Sequence, residues 1–236
     1  MSKFFLNVLA GLLLALVPSA ARTDDKTPPT ETVIAAPQGL EIRVRMQGPY
    51  DAEVPLQVVC YFEHKAAGDT TLGAAVELDK RLGGVIAALR NTGRFAGHEM
   101  ETLLLSPPQG KIGARQLLLI GLGSEETLSL ERMEAVGRTA AHEAARLGIS
   151  RVGFAPLIRD QGNSKFDTGD VGRAVMRGVL LAYDTEKRLQ AKGFAPEYTL
   201  QEWIEEAGPM YFDATVTGAR NAVQDAESIT KSAAPL

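Results

Sequence analysis

Apolar and charged residues alternate from Leu40 to Gly48 (LEIRVRMQG), the period-two pattern of a strand with one wet face, which predicts a place at a sheet edge. Val54 to Phe62 (VPLQVVCYF) is more continuously apolar and reads as an interior strand. The two are close in sequence, so a hairpin or an adjacent pair is expected. After a break at Gly68 to Gly73, the period changes. Ala75, Leu78, Leu82, Val85, Ile86 and Leu89 fall on one stripe of a helix over residues 72–91. Gly83 and Gly84 lie inside that stripe. Each costs a helix about 1 kcal/mol relative to Ala, so the pair implies the close approach of another backbone.

Two short apolar runs follow, Glu101 to Pro108 and Arg115 to Gly123, separated by Pro and Gly, and both read as strands. A helix over residues 129–147 puts Met133, Val136, Ala140, Ala144 and Leu147 on one side, with Gly148 as its stop. Ser150 to Pro156 is a further buried strand. A long loop (RDQGNSKFDTG) leads to a helix over residues 170–191, with Asp167 or Thr168 as N-cap and Asp170 facing the helix dipole in the first turn. A strand is expected from Tyr198 to Glu206, and a last helix over residues 213–229 on the stripe Val216, Ala219, Val223, Ala226 and Ile229. Strands and helices in alternation make an α/β domain, a three-layer α/β/α arrangement around a mixed, largely parallel sheet.

The ends change the picture. Lys3, the apolar run Phe4 to Val17 and the small residues Ser19, Ala20 and Ala21 have the make-up of an export signal, with cleavage expected after Ala21. The run is too short for a membrane span and stops at Pro18. The expected organisation is a signal peptide over 1–21, an unstructured leader over 22–39 rich in Thr, Pro, Asp and Lys, one domain over 40–230, and a flexible tail over 231–236. An exported, periplasmic or secreted protein is expected, without a membrane anchor once the signal is removed.

The net charge is −4 and no block of Lys or Arg stands out, so nucleic acid is not an expected partner. The one cysteine, Cys60, sits in an apolar strand pattern and reads as a buried small hydrophobe. Trp203 reads as a core or sheet-face aromatic.

The run Gly121, Leu122, Gly123, Ser124, Glu125, Glu126 puts a carboxylate where a dinucleotide fingerprint needs its third glycine, so it reads as a tight strand-to-helix corner. His142 and Glu143 begin a zinc-helix pattern, but Arg146 stands where the second histidine belongs. His98, Glu99 and Glu101 are close together without visible partners, and the default for all three histidines is a solvated surface position. No G-x-S-x-G elbow is present. The residues therefore name no catalytic group, no metal ligand and no cofactor.

The segments Leu72 to Leu105, Ala114 to Gly148 and the acidic strand YTLQEWIEE, in that order, resemble the N-terminal domain of the leucyl (cytosol) aminopeptidase family over about residues 40 to 225. The matching features are the L-D-x-x-L-G-G helix (Leu78 to Gly84), the strand ending in Gly-Leu-Gly (Gly121 to Gly123) and the Ala-rich helix behind it. The resemblance implies a macro-domain-like fold. It also implies that the family's chemistry lies in a separate C-terminal domain, where a Lys, several Asp and a Glu hold two metals. The sequence carries none of those ligands, so it is expected to lack peptidase activity.

Three functions stay open at this point. One is a non-catalytic exported module that docks on another protein or on itself. Another is a small-molecule binder, nucleotide- or sugar-like in its ligand, using the crevice beyond the strand ends with Gly83, Gly84, Gly121, Gly123 and Ser124 at its rim. The last is an accessory subunit of a split aminopeptidase.

Overall fold

A computed structural model describes residues 30–197 and 200–232. The expected signal peptide and its cleavage site lie outside the described residues. Seven strands alternate with five helices: β1 (Glu31–Ala35), β2 (Glu41–Arg45), β3 (Leu56–Tyr61), α1 (Gly73–Arg81), α2 (Val85–Asn91), β4 (Thr102–Leu105), β5 (Gln116–Gly121), α3 (Leu130–Arg146), β6 (Arg151–Ala155), α4 (Thr168–Ala191), β7 (Glu202–Glu206) and α5 (Phe212–Ser232). The strands form one sheet in the order β1-β2-β7-β6-β3-β5-β4. The five inner strands run parallel and the two edge strands, β1 and β4, run antiparallel to their neighbours. The α/β class and the mixed, largely parallel sheet are as the sequence predicted.

Period-two alternation divides the core in two. Ile42, Val44, Val58, Cys60, Ile120, Phe154 and Trp203 face the layer made by α3, α4 and α5, while Val59, Tyr61, Leu117, Leu119 and Ile204 face α1, α2 and Phe95. Trp203 stacks on Phe154 at 5.7 Å between ring centres. Cys60 is fully buried, as expected, and burial pushes its thiol pKa up, leaving it an unreactive packing group. The α3–α4 contact is close enough that a Cβ at Gly137 would overlap the Val175 carbonyl, and one at Gly178 would overlap the Glu134 carbonyl. Small residues there let the two backbones meet.

Six expectations are corrected. The leader is not unstructured throughout, because residues 31–35 form edge strand β1. Glu31 accepts from Arg43 at 2.7 Å and from Arg45 at 2.9 Å, so the wet face of β2 is answered by charge. Consequently β2 is not at the edge. Nor is it beside β3, since β7 and β6 lie between them. The single helix over 72–91 is two helices. Gly83 and Gly84 both adopt positive φ, at 73° and 80°, which ends α1 and starts α2. No neighbouring atom lies within 4 Å of a Cβ built at either glycine, so the backbone turn explains them and the inferred close approach does not. Finally, the tail expected from residue 231 is helical to Ser232, and residues 233–236 lie outside the described residues.

Candidate ligand-binding site

The parallel strands all end on the same side, and crevices at such ends are where α/β sheets place ligands. A cavity of about 570 Å3 opens there, beyond the ends of β2, β6 and β7. Its walls combine the turn Met46 to Tyr50, the segment Ala155 to Asp160, the first turn of α4, and the stretch Glu205 to Tyr211 leading into α5. Most of that lining is apolar, including Pro49, Pro156, Leu157, Ile158, Val171 and Pro209.

Two consecutive carboxyl groups end β7 in this cavity. Alternation sends Glu205 towards the α4 and α5 side and Glu206 towards the α1 side. Both line the cavity because it wraps around the strand end. Glu205 is 2% exposed, and its Oε2 accepts from the Trp203 indole Nε1 at 3.0 Å. Glu206 is 7% exposed and accepts from Gln47 Nε2 at 3.0 Å and from Gln57 Nε2 at 2.7 Å. Burial dominates both titrations. It pushes Glu205 up to about 8, with the Glu206 charge adding to the rise and the indole bond opposing it. Glu206 is pushed up to about 7, because the two amide bonds and Arg45 offset only part of the desolvation.

The remaining polar wall comes from the turn after β6. Asp160 Oδ1 accepts from the Ala74 amide at 2.6 Å, and the Asp160 carbonyl accepts from Leu72 N at 2.7 Å, so this residue anchors the start of α1. Burial raises its carboxyl pKa, and the amide bonds pull the other way. Arg159 donates to the carbonyl of Asn163 at 3.3 Å and to that of Phe166, and its guanidinium lies 5.9 Å from the Tyr211 ring centre. Tyr50, at the opposite rim, carries the Arg81 guanidinium at 4.1 Å. Thr168 and Thr215 line the cavity from the N-terminal turns of α4 and α5, the Thr215 hydroxyl donating to the Tyr211 carbonyl at 2.9 Å. Asp167 caps α4 through Gly169 N at 2.7 Å, as the sequence indicated.

None of the five residues placed at the rim from sequence lines this cavity. Gly83 and Gly84 form the α1–α2 turn on the other helical layer. Gly121 and Gly123 are buried under the loop Gly97 to Glu99: a Cβ at Gly121 would overlap the His98 carbonyl, and Gly123 N donates to Gly97 O at 2.9 Å. The corner is thus filled by the protein's own backbone. The Ser124 carbonyl accepts from Thr127 Oγ1 and Arg132 Nη1, both at 3.2 Å. Gly121, Gly123 and Ser124 come together, but the structure puts them away from the cavity.

The other polar residues singled out earlier have structural partners. Glu101 accepts from the amides of Ala96, Gly97 and His98. His98 pairs with Glu63 at 2.9 Å, His142 with Glu186 at 2.9 Å and His64 with Asp69 at 3.1 Å. Among the described residues no three His, Cys, Asp or Glu side chains gather as a metal-holding group. No helix among them is long and apolar enough to cross a membrane. Glu205, Glu206, Asp160, Tyr50 and Tyr211 were not found from sequence. The one available signal was the pair of acids closing an otherwise buried strand, WIEE.

The profile described as "Cytosol aminopeptidase family, N-terminal domain" matches residues 58–192, more than half of the chain. A probable cytosol aminopeptidase of Thermosynechococcus vestitus is 31% identical over 113 residues, which is 48% of this chain and 22% of that protein. The match thus spans about a fifth of the relative's length. A variant of tomato leucine aminopeptidase superposes over 87% of this chain and 38% of its own, with TM-score 0.58 and 18% identity. A macrodomain of Oceanobacillus iheyensis with ADP superposes over 84% of this chain and all of its own, with TM-score 0.54 and 10% identity. At those identities the two structures establish the fold, which is macro-domain-like as expected.

Proposed function

The chain belongs to the cytosol aminopeptidase family through that family's N-terminal domain, and from this premise we propose that it works as a non-catalytic binding module whose ligand enters the cavity beyond β2, β6 and β7. One observation carries the proposal. The cavity lies where parallel sheets place ligands, has the size and apolar lining of small-molecule sites, and presents a few convergent polar groups: Glu205, Glu206 and Asp160. Peptidase activity remains a property of the relatives, of whose length the matched region is about a fifth. Export is part of the same proposal, supported by the signal-like composition of residues 1–21.

A thermal-shift screen with small molecules tests the reading. A true ligand at 100 times its dissociation constant adds about 2.7 kcal/mol to stability. Gly172 lines the cavity, and a Cβ there would meet only Thr215, another lining residue, at 3.7 Å, so a long side chain at this position is expected to take up cavity space. Gly172→Met should therefore fold and lose the shift. If no compound shifts the protein, or the shift survives in Gly172→Met, the cavity is not the site. Turnover of aminoacyl amides by purified protein with added Mn or Zn would overturn the non-catalytic part, and none is expected.

Docking on another protein is the second reading, favoured by Met210, which is 85% exposed between two cavity-lining residues, Pro209 and Tyr211. Loss of a co-purifying partner on Met210→Ser, with the thermal-shift response unchanged, would support it.

A further inference from the structure

The walls of the cavity carry three acids, Asp160, Glu205 and Glu206, against one base, Arg159. That base donates to the Asn163 and Phe166 carbonyls and lies over the Tyr211 ring, while its buried Nε has no hydrogen-bond partner among the described residues. Glu205 is the most enclosed of the acids, and the Trp203 indole N–H is its one hydrogen-bond donor among the described residues. A carboxylate accepts several hydrogen bonds, so Glu205 has capacity left inside the cavity it lines. An anion entering here would meet three carboxyl groups. A neutral ligand would leave Glu205 protonated, as burial holds it in the empty site.

The groups that face Glu205 are few. Glu206 follows it on β7, Cys60 approaches from β3, Asp160 and Arg159 come from the turn after β6, and α4 and α5 offer the uncharged Thr168 and Thr215. Arg45 and Asp51 act on Glu206. Arg159 is the one cation among them, and it is not among the charges that act on Glu205.

Resting on the binding-module reading, we propose that the cavity takes an organic cation, a primary ammonium group on an apolar body, with the ammonium seated on the Glu205 carboxylate and the body against Pro156, Leu157, Val171 and Pro209. A buried carboxylate and a ligand cation each offset the other's desolvation, which neither could do alone. Because the empty site favours the protonated acid, binding releases a proton.

Three probes with closely matched bodies test this by calorimetry on the full chain: phenethylamine, 2-phenylethanol and 3-phenylpropionate. The amine should bind at least ten-fold more tightly than the alcohol at pH 8, and its affinity should rise between pH 6 and 8. Glu205→Gln should weaken the amine at least ten-fold while leaving the alcohol within two-fold. If far-UV circular dichroism shows that variant unfolded, Glu206→Gln takes its place and should weaken the amine at least three-fold. Equal binding of amine and alcohol, tighter binding of the propionate, or an amine affinity indifferent to these substitutions would overturn the proposal. If the alcohol or propionate binds and Gly172→Met abolishes it, the cavity reading stands and only the cation is wrong. If none of the three binds, the cation proposal falls, and the wider screen decides the cavity reading separately.

Discussion

Gln57 on β3 donates through its Nε2 to Glu206 Oε2 at 2.7 Å, passing over β6 to reach the end of β7. The strand in between carries Gly153 opposite Gln57, and a Cβ at that glycine would overlap the Gln57 side-chain oxygen. The missing side chain on β6 makes the channel through which one buried polar group satisfies another.

Gly153→Ala should therefore displace the Gln57 carboxamide and leave Glu206 with one amide donor fewer. Loss of a buried hydrogen bond with an orphaned partner costs about 1–3 kcal/mol, and urea denaturation should show a loss of that size. A double change, Gly153→Ala with Gln57→Ala, should recover part of it, because the overlap disappears. A stable Gly153→Ala single variant would show that the channel is not needed.

The carboxyl pair sets a pH dependence of stability. The folded pKa values of Glu205 and Glu206, about 8 and about 7, lie above the ordinary carboxylate range. The native state then holds protons that the unfolded chain has released, so stability is full below about pH 4 and is lost as pH rises towards 7 and 8. Chemical denaturation at pH 5 and pH 8 should differ by a few kcal/mol, on the order expected from shifts of this size. Glu205→Gln should flatten that slope and raise stability at pH 8 relative to the parent. A parent protein most stable at pH 8 would contradict the assignment.

Asp69 behaves in the opposite sense. Burial works to raise its pKa, but hydrogen bonds from Arg90 at 2.5 Å and from His64, together with the Arg90 charge, outweigh it and hold the carboxyl well below the usual range. Its contribution is present above about pH 4 and is lost as pH falls through the depressed folded value. Asp69→Asn should cost roughly 1–3 kcal/mol at pH 7, because Arg90 is 3% exposed and would lose its counter-charge. The cost should shrink towards pH 3, and acid titration of both proteins by circular dichroism checks it.

The α3–α4 crossing gives a test of sign. Alanine in place of glycine within an exposed helix gains up to about 1 kcal/mol. Gly137 and Gly178 are opposite cases, since a Cβ at either meets a carbonyl of the other helix. Gly178→Ala should destabilise by about 1–3 kcal/mol, the range for overpacking, and Gly137→Ala should do the same. Thermal unfolding that improves in either variant would refute the close crossing.

Much of the element order was legible because it is local. The helices from Leu130 and from Thr168 follow from their apolar stripes, and the Asp167 cap from the residue type at a helix start. The burial of Cys60 and Trp203 follows from strand patterns, and the order of segments carried the family resemblance. The Gly83–Gly84 break was misread because two glycines fit a closely packed helix and a left-handed turn equally well, and only the φ values separate the two. Residues 31–35 lacked a convincing apolar pattern because β1 is an edge strand held partly by Glu31 and its two arginines.

By itself the sequence determined which stretches become strands and helices, and to which family they belong, since periodicity and capping act over a few residues. The tertiary structure alone decided strand order, which put β7 and β6 between β2 and β3, because pairing joins segments far apart in the chain. It also decided the site. Adjacent residues on a strand point to opposite faces, so Glu205 and Glu206 can share one cavity only where the sheet ends and the space wraps around the last strand.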